Sequence, residues 1–252
     1  MLIFGGFPFR KVTKLKLFGS IAIIALAAIG SAQVFSDDFN RADGGLGANY
    51  TAVSGSLLIN GNAVVGAASA NGLTLVNSGV ISGSYLNSMV QADLSVRDQS
   101  STLTYSAIAF GHDGSTTVNH GIFVKLQRQT AGGFANIGFY TGAGSNGTGI
   151  VTSGGNFQTL ATPITSARMT IKMLDATTLY TGLDTNFDSV DDVTYSSTLN
   201  LGLMVLGNQF GLHVFGNTGQ IDNYKATVVP EPVSMVALGM GVLALARKRR
   251  KG

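Results

Sequence analysis

The densest run of oxygen donors in this 252-residue chain is Asp184-Thr185-Asn186-Phe187-Asp188-Ser189-Val190-Asp191-Asp192. Asp184, Asn186 and Asp188 alternate and Asp192 follows, the order in which a calcium loop presents its side chains. Ca²⁺ takes roughly six to eight hard oxygens, and alternation turns successive side chains toward one point. Two residues depart from that pattern. Ser189 stands where the sharp turn calls for glycine, and Tyr195 stands where the loop ends in a bidentate glutamate. The same residues also suit a hairpin turn, because Asp and Asn bond their own backbone a residue or two on. Strand-like flanks over Thr177–Leu183 and Val193–Ser196 agree with the turn. Both readings stand on sequence alone, and an ion held here would stabilise rather than react.

Other chemistry is sparse. Cysteine is absent, which removes disulfides, thiolate metal sites and thiol nucleophiles. His112, His120 and His213 are scattered, with no Gly-x-Ser-x-Gly elbow or metalloprotease signature beside them. Tryptophan is absent too. Tyr50, Tyr85, Tyr105, Tyr140, Tyr180, Tyr195 and Tyr224 offer rings that can stack on sugars or fill a core. Asn119-His120 and Ser145-Asn146-Gly147 offer loop hydrogen bonds.

Strands have to position these groups. Gly, Ser, Thr and Asn fill the gaps between short apolar runs, a composition for strands and tight turns rather than helices. Ser88–Val96 alternates, and Tyr105–Phe110, Gly121–Gln127, Phe134–Tyr140, Ala167–Leu174 and Gln220–Val228 read as further strands. About a dozen such segments at ~8–15 residue spacing, with no amphipathic helix among them, predict an all-β antiparallel β-sandwich.

Charge is divided along the chain. The formal +3 comes from four basic residues before Leu17 and five after Ala246. Between them, residues 33–229 hold 7 Lys/Arg against 12 Asp, a net of −5. An acidic body of this kind is not expected to take nucleic acid as a partner.

The two ends carry the sorting information. Arg10, Lys11, Lys14 and Lys16 precede an apolar stretch from Leu17 to Ile29, and Gly30-Ser31-Ala32 supplies small residues for cleavage. Residues 1–32 therefore read as a signal helix handled by Sec and signal peptidase, with cleavage after Ala32. At the other end Pro230-Glu231-Pro232 is followed by an apolar run, Val233 to Ala246, and by Arg247-Lys248-Arg249-Arg250-Lys251. A helix of that run is about 21 Å long at 1.5 Å per residue, short of a ~30 Å hydrocarbon core. Pro230 and Pro232 keep it from extending backward, and the basic cluster holds its end on the cytoplasmic face. It reads as a short transmembrane helix that anchors weakly.

That tail resembles the PEP-CTERM sorting signal of exopolysaccharide-producing Gram-negative bacteria, with Pro230, Glu231, Pro232, Arg247, Arg249 and Arg250 on the motif. The resemblance covers about 25 residues. It implies an exosortase partner, inner-membrane anchoring in transit, cleavage near Pro-Glu-Pro, and release to the cell surface or extracellular matrix, where exopolysaccharide is the neighbour. The tail sorts cargo of many kinds and does not itself assign an activity.

The body has a second resemblance. Asp37-Asp38-Phe39-Asn40-Arg41, Tyr50 and Ile221-Asp222-Asn223-Tyr224 are similar to the first and last strands of concanavalin A-like, laminin-G-like jelly rolls. This implies a jelly roll in which the first and last strands pair. It also implies a structural Ca²⁺ near Asp38 and Asp222, with side-chain capping of strand ends as the other reading. Glycosidases of that superfamily use paired carboxyl groups, and their motif needs glutamates. Glu231 is the only glutamate in the chain and lies in the tail. The expectation is a signal segment (1–32), a sandwich (33–227) and a sorting signal (228–252), the whole a non-catalytic structural or carbohydrate-interacting protein. A hydrolase or lyase acting on the polysaccharide is the competing reading.

Overall fold

Along Ser88–Val96 buried and half-buried residues alternate at every position, because successive side chains of a strand point to opposite faces. The computed structural model describes residues 32–229, except 68–70, 97–103, 118, 129–134, 143–147, 153–155, 163 and 216–218. The signal segment, save Ala32, lies outside the described residues. So does the tail from Pro230 on, including Glu231, Pro232, Arg247, Arg249 and Arg250. Residues Ala32–Val229 cluster as one unit. Among the described residues no helix is long and apolar enough to cross a membrane.

The chain opens with β1 (Gln33–Asp37), β2 (Gly44–Gly45), β3 (Tyr50–Ser54), β4 (Leu57–Asn60), β5 (Ala63–Gly66) and β6 (Gly72–Val76). A 3₁₀ turn at Tyr85–Asn87 leads to β7 (Ser88–Val96), β8 (Thr104–His112), β9 (Ile122–Arg128) and β10 (Ala135–Thr141). Next come β11 (Thr148–Gly149), β12 (Phe157–Thr159), β13 (Ser166–Met173), β14 (Thr178–Asp184) and β15 (Val193–Thr198). A second 3₁₀ turn at Leu201–Leu203 precedes β16 (Gln209–Phe215) and β17 (Gly219–Val228).

These strands make two antiparallel sheets. Sheet I runs β15-β14-β13-β7-β17-β5-β4-β2, with β1 also on β17. Sheet II runs β11-β10-β9-β8-β16-β6-β3, with β12 also on β10. Their inner faces share one core, in which Val90, Leu94, Met169, Ile171 and Ile221 of sheet I belong with Ile108, Phe110, Val124, Ile137 and Leu212 of sheet II. Burying each such side chain stabilises the fold by about 1.5–3 kcal/mol. The expected all-β sandwich is what these sheets form.

The first and last strands do pair. Gln33 lies opposite Val228 and Asp37 opposite Tyr224. On the other side of β17 the register with β7 shifts between Asp222 and Lys225, and Asn223 takes φ 46°. This β-bulge sits where β17 changes neighbour, from β5 at Gln220–Ile221 to β1 at Tyr224–Val228. An extra residue bends the strand and re-aims nearby side chains, so Asn223 and Asp222 both end on the outer face.

Candidate functional site

The Asp-rich run closes the β14–β15 hairpin, and its oxygens are spent on its own backbone. Asp184 accepts from the amides of Asp188 at 3.2 Å and Ser189 at 2.7 Å. Asn186 accepts from the Asp188 amide at 3.0 Å, and Asp188 from the Val190 amide at 2.9 Å. Asp192 accepts from both the amide and the hydroxyl of Thr185, at 2.7 and 2.6 Å, and these bonds hold its carboxyl below the usual range. Phe187 and Ser189 take positive φ, 61° and 73°. Among the described residues no group of three or more His, Cys, Asp or Glu could hold a metal ion. The donor set fits a self-bonded turn rather than a calcium cage.

This turn curls back over sheet I. Asp191 accepts from the Tyr180 hydroxyl at 2.6 Å and lies so close to Gly182 that a Cβ there would be 2.0 Å from its oxygen. Asp184, Ser189 and Asp191, with Gln91, Arg168, Asn223 and Lys225, line a cleft of about 410 Å³. Its polar groups are largely mutual partners. Arg168 donates twice to Asp93, at 2.7 and 3.1 Å. Asn223 donates to the same carboxylate at 2.8 Å, and Gln91 donates to Thr170 at 2.9 Å.

Asp38 and Asp222 are brought near one another by the β1–β17 pairing, but the hub is their neighbour Asp37. Burial alone would raise the Asp37 carboxyl. Bonds from Arg41, the Phe39 amide and the Tyr50 hydroxyl hold it below the ordinary range instead. Arg41 grips it at 2.6 and 3.1 Å, and Tyr50 donates at 2.9 Å. Asp38 caps the turn by accepting from the Asn40 amide at 3.1 Å. Asp222 accepts from the Asn223 amide at 2.7 Å. Its carboxyl is pushed up by burial, with Asp93, Asp38 and Asp37 adding to the rise. The capping reading describes these contacts.

The outer face of sheet II is built differently. Register places Phe215, Tyr105, Gln127 and Asn136 in one row across β16, β8, β9 and β10. The next row is His213, Ala107, Lys125 and Gly138, and the next Gly211, Ala109, Phe123 and Tyr140. Alternate residues of these strands, such as Ile108, Val124 and Leu212, face the core, which assigns the three rows to the outer face. Lys125 has its ammonium 4.3 Å from the Tyr105 ring centroid and 4.6 Å from that of Tyr140. Tyr105 stacks on Phe215 at 5.1 Å and meets the His213 ring edge-on at the same distance.

Polar atoms on this face lack partners. Gln127 Nε2, Asn136 Oδ1 and His213 Nδ1 are buried without a hydrogen bond, on side chains only 3 %, 9 % and 0 % exposed. Such atoms cost about 1–3 kcal/mol each when left unpaired. Burial pulls the Lys125 ammonium down to about 8. His213 is held well below its usual value by burial, then by Lys125 and His112. His112 meets Phe123 edge-on at 5.8 Å, and burial lowers it to about 4.

No family model matches the chain, and no curated protein matches it. Among solved structures, the CBM2 module of the evolved Dit of Lactobacillus casei BL23 phage J-1 is similar over 80 % of this chain and 98 % of its own. It is 11 % identical, with a TM-score of 0.54. The body is a jelly-roll β-sandwich. Lectin II from Ulex europaeus is 12 % identical over 77 % of this chain and 97 % of its own, TM-score 0.49. An endo-1,3-beta-glucanase from Streptomyces sioyaensis is 12 % identical over 79 % and 96 %, TM-score 0.48.

Of the seven tyrosines singled out by type, Tyr105 and Tyr140 are the two that flank this cluster of unpaired groups. Sequence reasoning missed Lys125, Gln127 and Asn136. A signal existed: in Ile122-Phe123-Val124-Lys125-Leu126-Gln127 the core-facing set is purely aliphatic, whereas the other set mixes aromatic, cationic and amide groups. His112 and His213, far apart in the chain, both belong to this face.

Proposed function

We propose that the protein is an exported, non-catalytic jelly-roll domain that binds saccharide on the outer face of sheet II. The observation that carries this reading is the set of partnerless buried groups, Gln127 Nε2, Asn136 Oδ1 and His213 Nδ1, in adjacent rows of that face. A sugar ring offers alternating hydroxyls that both donate and accept, and a flat face that packs on aromatic rings. It would supply what those three atoms lack. Fold likeness to the phage CBM2 module fits such a role.

The non-catalytic part of the reading rests on what these strands do not contain. Glycoside cleavage uses two carboxyl groups about 5–9.5 Å apart. The described strands of sheet II contain neither Asp nor Glu. The tail at 228–252 gives the destination: an exosortase processes it near Pro230-Glu231-Pro232, and the body reaches the surface or exopolysaccharide matrix of a Gram-negative bacterium.

Affinity electrophoresis of the purified protein through gels carrying exopolysaccharide tests the binding. Retardation that Gln127→Ala and Asn136→Ala weaken is expected, and equal mobility with and without glycan would sink it. Soluble sugar released during incubation would establish the hydrolase or lyase instead. For the tail, replacing Pro230-Glu231-Pro232 by three alanines should leave the protein unprocessed and membrane-bound, and unaltered secretion would refute the sorting assignment.

A further inference from the structure

The loop between β8 and β9 sets a hydroxyl, an imidazole and a carboxylate in series. Thr117 Oγ1 lies 2.7 Å from His120 Nε2, and His120 Nδ1 lies 2.6 Å from Asp113 Oδ2. Asn119 and Gly121, on either side of His120, take φ 70° and 71°, so the chain turns at both and returns the imidazole over the loop. Burial by itself would raise the Asp113 carboxyl, but bonds from the Ser115 amide and from His120 hold it below its ordinary range. The carboxylate favours the neutral tautomer with its proton on Nδ1, which leaves Nε2 to accept from Thr117. Thr117 itself is exposed. Along the same loop, Val205 pairs with His120, donates its amide to the Asn119 carbonyl at 2.8 Å and accepts from the Gly121 amide at 2.9 Å. Leu203 and Val205 are 38 % and 51 % exposed.

We infer that Thr117 is a covalent acceptor site for a short apolar acyl group delivered as an activated ester or thioester, with His120 as its base and Asp113 positioning His120. A hydroxyl is a weak nucleophile until a base within about 2.6–3.2 Å takes its proton and a third group orients that base. Both distances in the loop meet that requirement. The Oγ1–carbonyl carbon bond forms, the Oγ1 proton passes to His120 Nε2, and the donor's C–O or C–S bond breaks. His120 then returns the proton to the departing alkoxide or thiolate. Leu203 and Val205 offer the acyl chain an apolar surface. The reaction stops there. The amides of Gly114, Ser115, Thr117 and Gly121 already donate to His112 Nδ1, Asp113 Oδ1, Ser115 Oγ and the Val205 carbonyl, so they are not aimed at an oxyanion. An activated donor reacts without that help because its leaving group is good, whereas the threonyl ester it forms has a poor one and persists. The inference goes beyond saccharide binding and is independent of it, and a domain that keeps one acyl group does not turn over.

The full chain incubated with p-nitrophenyl butyrate tests this. One equivalent of p-nitrophenolate should be released, and peptide mass mapping should find one butyryl group on Thr117. Thr117→Val should abolish that label with melting temperature and glycan retention unchanged, and Thr117→Ser should keep it. His120→Gln should slow labelling at least about tenfold. Asp113→Asn removes the charge that makes the imidazole more basic, so labelling should slow and the midpoint of its pH profile should move down, a shift that mere loosening of the loop would not give. A label confined to Ser115 or to lysines, or an unchanged rate in His120→Gln, would overturn the inference. Release beyond one equivalent that Thr117→Val removes would overturn it in favour of an esterase.

Discussion

The two outer faces of the sandwich are opposites in polar accounting. That of sheet I is open and rich in charge, yet its groups answer one another: Arg168 and Asn223 share Asp93, Tyr180 holds Asp191, and Asp184 binds the turn. That of sheet II is closed to solvent and nearly without charge, yet it leaves three buried polar atoms unbonded. A network that satisfies itself serves stability, because each bond is lost when the chain unfolds. Groups kept shielded and unpaired lower stability, which is the usual mark of a site shaped for something else. The acidic cleft of sheet I is thus held by its own bonds, whereas the face of sheet II keeps three polar atoms that no side chain answers.

Acid should separate the faces most strongly. His112 and His213 on sheet II have folded-state values below the ordinary 6.5, so the unfolded chain takes up protons first. Stability that is complete above about 6.5 is then lost as pH falls toward 4. Thermal melts across that range should show the decline, and His213→Phe should flatten it; a flat wild-type profile would contradict the burial of both rings. On sheet I the largest single effect is expected from Arg168→Ala, which leaves Asp93 facing Asp222 across the strands. A loss of about 2–3 kcal/mol in urea unfolding is expected, with glycan retention unchanged. Retention that falls with it would move the binding site to sheet I.

The β-sandwich is legible in the sequence because alternation is a backbone property, whereas the jelly roll is implied only by the resemblance at the two ends of the body. The strand expected over Ser88–Val96 has those bounds, that expected over Gln220–Val228 begins one residue earlier, at Gly219, and the pairing of β1 with β17 follows from a short resemblance at the ends. The partition of strands into two sheets was not legible, since it depends on long-range register. Lys125 was missed for the same reason: its neighbours Tyr105, Tyr140 and His213 come from three other strands. Conversely, Asp184–Asp192 advertised itself as a metal loop because ligand-like spacing and turn-capping spacing coincide for short acidic residues.

Smaller effects refine the contrast. Asp184→Ala frees the amides of Asp188 and Ser189 and should cost about 1–2 kcal/mol by the same unfolding assay; a neutral result would mean the turn holds without it. On sheet II, Gln127→Ala and Asn136→Ala remove unbonded atoms, so stability should stay level or rise by up to about 1 kcal/mol while glycan retention falls. A loss of stability equal to that at Asp184 would erase the distinction between the faces. Smallest of all is the response to calcium: melting temperatures in Ca²⁺ and in chelator should coincide, and a clear rise in Ca²⁺ would return the turn to the metal reading.

The β1–β17 pairing also has a mechanical side. Gln33 sits directly across from Val228, so chain entering and chain leaving the domain do so side by side, about 5 Å apart. Tension between those two ends would peel the strands apart one bond at a time, like a zip. Tension between the C-terminal end and a load gripped by the opposite sheet would instead pull β17 lengthwise between β7 and its other neighbours, straining many bonds together.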